Sequence, residues 1–142
     1  NFLNPKPIEI RDVDPPDLFT PEPTSDKNFL WFKVDGTLDT KDQWAHHCFL
    51  AYASDVSLLG SGNRPHGVSA YSGDVMLASL DHAMWFHEKI NFNDWHLYEM
   101  DSPFSGAARS LNRGKVFSQD GTLVASVAQE GLMRPLKRKP NT

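Results

Sequence analysis

The sequence has a single cysteine, Cys48, in 142 residues, so no internal disulfide can staple it and nothing in it asks for an oxidising compartment. An intracellular location is the default expectation. It also lacks any apolar run approaching the ~20 residues that span a bilayer, which argues against membrane insertion. Positive charge is in short supply. With a formal net charge of −4 the chain has no concentrated cationic face of the kind that phosphate backbones require, which argues against a nucleic-acid partner. The one basic run, Lys137, Arg138 and Lys139, reads as a solvated tail over residues 136–142. The first residue is Asn1, and neither the basic start nor the apolar stretch of a secretory signal follows it, so the sequence reads as a fragment or a processed product.

A hydrophobic share of 39% beside 23% charged residues is that of a soluble globular protein, and the length suits one ordinary domain with its own core. Pro5, Pro7, Pro15, Pro16, Pro21 and Pro23 crowd the start; each removes a backbone donor and biases its predecessor toward extended geometry, so residues 1–27 read as a linker-like lead-in. NFLWFKVDG (28–36) predicts a short strand ending in Asp-Gly turn chemistry. Asp39 or Thr40 can then cap a helix on which Trp44, Cys48, Ala51, Asp55 and Leu58 or Leu59 recur every three or four residues, with an end near Gly60 and Gly62. GSGNRPHG (60–67) reads as a loop. Four strand-like runs follow, roughly 74–87, 95–104, 107–119 and 122–134, separated by Asn93-Asp94, by Pro103 to Gly106 and by Asp120-Gly121, the strongest hairpin signal. One helix followed by consecutive antiparallel strands is the α+β class, with the helix against one face of the sheet.

Two polar residues interrupt apolar faces. Asp55 falls in the same helical stripe as Trp44, Cys48 and Ala51, where an unpaired charge would cost several kcal/mol; it is therefore hydrogen-bonded, protonated or retained for chemistry. The plainer reading is a buried acid that caps a turn or pairs with a base. Gln129 shares a strand face with Leu123, Val127 and Met133, and its plainer reading is a structural amide serving a loop backbone. In VMLASLDHAMWFHE (75–88) both strand parities are apolar, so one face needs cover from a second domain or a second copy of the chain.

SLDHAMWFHE (79–88), HHCFLAYASD (46–55) and DGTLVASVAQEGLMRP (120–135), with the order helix then strands, resemble the C-terminal half of the type II, TesB-like acyl-CoA thioesterases, a family with bacterial and peroxisomal members. The resemblance covers roughly residues 28–135. It implies a hotdog fold, an antiparallel sheet wrapped around one long helix, as the second half of a double hotdog whose first half is missing here. It further implies a catalytic trio. The acid ending YASD is Asp55, the amide of QEG is Gln129, and the hydroxyl residue before DHxMWFH is Ser79, where bacterial members carry threonine; the loss of that methyl fixes the hydroxyl less tightly. The implied activity is hydrolysis of fatty acyl-CoA to free acid and coenzyme A by a water that Asp55 deprotonates and that Ser79 and Gln129 hold, with no cofactor. The alternative is a non-catalytic acyl-CoA-binding or dimerisation half that needs the first hotdog. The family allows a peroxisomal or a cytoplasmic home, and Asn141-Thr142 carries no SKL-type signal.

Rival sites are weaker. His46, His47, His82, His87 and His96 have no ligand spacing that completes a metal site. Cys48 on the helix stripe reads as a small core residue before it reads as a nucleophile, and GSGNRPHG lacks the lysine and hydroxyl of a nucleotide loop. Arg109, Arg113 and Lys115 share a strand face that is either a solvated surface or an attractor of coenzyme A phosphates, the former being the plainer reading.

Overall fold

In the computed structural model, which describes residues 6–136, strands β1 (Ile8–Asp12) and β2 (Asn28–Val34) precede helix α1 (Gln43–Asp55). A short helix α2 (Gly60–Asn63), a 3-10 turn (Arg64–His66) and strands β3 (Val75–Ser79), β4 (Ala83–Phe86), β5 (His96–Gly106), β6 (Arg109–Phe117) and β7 (Leu123–Pro135) follow. All seven strands form one antiparallel sheet in the order β1-β2-β5-β6-β7, with β3 and β4 sharing the far edge of β7. The sheet curls around α1 in the hotdog arrangement expected from the sequence. Among the described residues no helix is long and apolar enough to cross a membrane.

Alternation builds the core. Inward residues Leu30 and Phe32 of β2, Tyr98 and Met100 of β5, Val116 of β6 and Val127 of β7 meet Leu50 and Ala53 of α1 in one buried cluster. Phe32 stacks on Tyr98 at 5.1 Å and meets Phe92 edge-on at 5.3 Å. Gly114, on the strand beside Tyr98, leaves room for that ring, since a Cβ there would come within 2.8 Å of the phenol oxygen. The ring thereby crosses beneath the sheet and donates its hydroxyl to the Ser54 carbonyl at 2.8 Å, tying β5 to the last turn of α1.

Several expectations need correcting. The lead-in 1–27 contains β1, because the proline-free stretch after Pro7 alternates Ile8 and Ile10 and pairs with Val34 to Leu30 of β2. The cap of α1 is Asp42, whose carboxylate accepts from the Ala45 amide at 3.1 Å. The helix stops at Asp55, and most of GSGNRPHG is helical, as α2 and the 3-10 turn. Its buried stripe is His46, Leu50, Ala53 and Ser54, so Trp44 (78% exposed), Cys48 and Asp55 lie outside the core. A histidine wins the core position because backbone groups satisfy both ring nitrogens. His46 Nδ1 accepts from the Phe92 amide at 2.9 Å and Nε2 faces the Asp39 carbonyl at 2.9 Å.

The separator expected at Pro103 to Gly106 is instead the end of β5, where a register shift between Asp101 and Phe104 takes the proline out of regular pairing. The reversal is made by Ala107 and Ala108, both at positive φ. Asp120-Gly121 does close the β6–β7 hairpin, with Gly121 at φ 87°. The run expected over 74–87 is two strands, with consequences for the site. Lys137, Arg138 and Lys139 lie outside the described residues.

Gly114→Ala should lower the unfolding free energy by about 1–3 kcal/mol, since the new methyl forces Tyr98 off its position. Chemical denaturation of the folded chain measures it; an unchanged midpoint would mean that the ring has space to spare.

Candidate functional site

Strands β3 and β4 are one edge interrupted by an extra residue. Ser79 pairs with Gly131 and Ala83 with Ala128, so the edge takes four steps while β7 takes three. Such a bulge reverses the side-chain alternation beyond it. The bulge is pinned by Asp81, whose carboxylate accepts from the Glu130 amide at 2.7 Å, and by the Leu80 amide, which donates to the Glu130 carbonyl at 3.0 Å. Ser79 and His82 would face opposite sides of an unbroken strand, yet both reach Gln129. Beyond the bulge Met84 packs against the core and Phe86 stacks on His47 of α1 at 4.2 Å, while Trp85 is left 53% exposed.

Gln129 is fully buried, as its place among the inward residues of β7 predicts. Its Nε2 donates to Ser79 Oγ at 2.9 Å, and Ser79 Oγ donates to Asp55 Oδ1 at 3.2 Å. The helix end, the edge strand and the hairpin strand thus supply one continuous chain of hydrogen bonds. Its other end continues from Gln129 Oε1 to His82 Nδ1, and from His82 Nε2 to Ser54 Oγ at 2.8 Å. Burial pushes the Tyr98 hydroxyl well above its ordinary range and the Asp55 carboxylate adds in the same direction, so Tyr98 remains a donor to Ser54.

The structure therefore brings together Asp55, Ser79 and Gln129, but Asp55 and Ser79 are exposed rather than sunk in the core. Large apolar side chains are exposed on the same elements: Trp44 and Tyr52 of α1, Leu80 in the bulge and Phe86 of β4. A cavity of about 480 Å³ lies elsewhere, between the segment around Asp14 to Thr24 and α2, and none of the three residues lines it. In its lining Asp17 accepts from the Thr20 hydroxyl at 2.6 Å and from the Phe19 and Thr20 amides, a local turn and not a meeting of groups from distant elements.

The other candidates separate from this site. Cys48 is exposed, not a core residue, and the Arg109, Arg113 and Lys115 face is largely neutralised across strands. Arg113 donates twice to Asp101, at 3.0 and 2.7 Å, and Arg109 bonds Glu130 at 3.1 Å. Among the described residues no three His, Cys, Asp or Glu side chains cluster as metal ligands. His82 and Ser54 are the network members that sequence reasoning missed. The signal was the polar pair Asp81-His82 inside an apolar strand run, a break in alternation that marks a bulge.

Residues 11–132 match the family model described as acyl-CoA thioesterase, and the chain belongs to that family. It is 41% identical over 128 residues to acyl-coenzyme A thioesterase 8 of Mus musculus, covering 90% of this chain and 39% of that protein. Acyl-CoA thioesterase 2 of Haemophilus influenzae is 35% identical over 135 residues, covering 94% and 46%. The crystal structure of an acyl-CoA thioesterase II, TesB2, from Mycobacterium marinum superposes with a TM-score of 0.78 at 41% identity, covering 94% of this chain and 51% of that one. The chain thus spans about half or less of the length of these relatives.

Proposed function

We propose that the chain carries the hydrolytic centre of a fatty acyl-CoA thioesterase. The observation that carries this reading is the run of contacts from Gln129 through Ser79 to Asp55, ending in an exposed carboxylate. A water seated between the three would lose a proton to Asp55 as its oxygen attacks the thioester carbonyl carbon. Collapse of the tetrahedral intermediate breaks the carbon–sulfur bond, and the departing coenzyme A sulfur recovers the proton from Asp55. Ser79 and Gln129 restrict the water to the attacking orientation, as a hydroxyl and an amide that offer both donors and acceptors can do. No cofactor takes part in this scheme.

Asp55→Asn keeps the shape and removes the base, so kcat for acyl-CoA hydrolysis should fall about 10²- to 10⁴-fold. Ser79→Ala and Gln129→Ala should lower kcat more than they raise KM. Full activity of Asp55→Asn on several acyl lengths would remove the carboxylate from the chemistry.

A second reading, favoured by the exposure of the large apolar side chains Trp44, Tyr52, Leu80 and Phe86, is that this half binds or assembles and is inactive alone. In that reading the cover is a first hotdog half or a second copy of the chain. Sedimentation should show this chain self-associating with concentration, and hydrolysis should rise when the first half is supplied. A concentration-independent monomer whose activity ignores the first half would leave the face without that role.

A further inference from the structure

We infer that His82 is a positioning residue that fixes which way the Gln129 amide faces, and so gives the Gln129–Ser79–Asp55 chain its direction; this rests on the hydrolytic reading above. Ser79 has one hydroxyl hydrogen and touches two groups, Asp55 Oδ1 at 3.2 Å and the Gln129 amide at 2.9 Å. A carboxylate only accepts, so that hydrogen goes to Asp55 and Gln129 must present an N–H to the Ser79 oxygen. The Gln129 carbonyl oxygen then points the opposite way, onto His82 Nδ1, which must carry a proton. Ser54 Oγ lies 2.8 Å from Nε2 and donates its own hydrogen to the Ala51 carbonyl at 2.8 Å, so it meets the ring with a lone pair.

An amide is nearly symmetric in shape, and its two orientations differ only in which end donates. Gln129 is fully buried, so neither end can turn to bulk solvent, and the choice falls to its two neighbours. With Nδ1 unprotonated, the amide nitrogen would turn to His82 and its oxygen to Ser79. The single Ser79 hydrogen would then face two acceptors, and its bond to Gln129 or to Asp55 would be lost. The bulge builds this contact: Asp81 holds Glu130, the residue after Gln129, while the residue after Asp81 is His82.

The test combines a spectroscopic and a kinetic readout. Proton–nitrogen correlation spectra of this chain's imidazoles at neutral pH, with the His82 signals assigned by their loss in His82→Asn, should show a protonated Nδ1. In a chain of the relatives' full length, His82→Phe fills the ring's space without a donor and should lower kcat about 10- to 100-fold with KM little changed. His82→Asn restores an N–H toward Gln129 and should recover most of that loss. An unprotonated Nδ1, wild-type kcat in His82→Phe, or equal losses in the Phe and Asn variants would overturn the inference. If the wild-type protein hydrolyses no acyl-CoA, the hydrolytic reading fails by itself, and the nitrogen signal still decides whether His82 orients Gln129.

Discussion

The arrangement depends on one inserted residue. An antiparallel edge strand normally sends alternate side chains to alternate faces, so Ser79 and His82 cannot both look inward from regular pairing. The extra residue between Ser79 and Ala83 lifts that restriction, and the Asp81 carboxylate secures it by accepting the Glu130 amide that would otherwise lose its partner. A buried glutamine amide needs a donor for its oxygen and an acceptor for its nitrogen. The bulge delivers both from a single edge, which allows a polar group to sit at 0% exposure within an apolar sheet face.

The other side of the site is set by α1. The helix turns His46, Leu50, Ala53 and Ser54 to the core and leaves Trp44, Tyr52 and Asp55 on its far side. Tyr98, given room by Gly114, holds the last turn by the Ser54 carbonyl, so the residue following Ser54 is placed within reach of Ser79. The acid therefore stands exposed at the end of the polar network. The chain spans about half or less of its relatives' length, and Trp44 and Tyr52 stay exposed among the described residues.

Period and turn chemistry made much of this legible beforehand. β2, α1 and the β6–β7 hairpin lie close to where alternation, helical spacing and Asp120-Gly121 put them, and the inward amide of Gln129 was visible as a polar residue among apolar ones. Asp55 was singled out for a wrong reason. Helical spacing alone could not tell the stripe of Trp44 and Cys48 from that of His46 and Leu50, because backbone partners make a histidine a core residue and an uncovered face makes a tryptophan an exposed one. The bulge left a single trace, the polar pair Asp81-His82, because the residues on both sides of it are apolar. β1 was masked by the prolines around it.

In the proposed hydrolysis water attacks the thioester directly while Asp55 only takes the proton. One turnover of an acyl-CoA in ¹⁸O-water, with the protein in excess over substrate, tests it most directly. Direct attack predicts that the released fatty acid carries one ¹⁸O from the first turnover and that Asp55 remains unlabelled. A first-turnover acid without the heavy isotope, its new oxygen drawn from the protein carboxylate, would contradict the claim and make Asp55 a nucleophile.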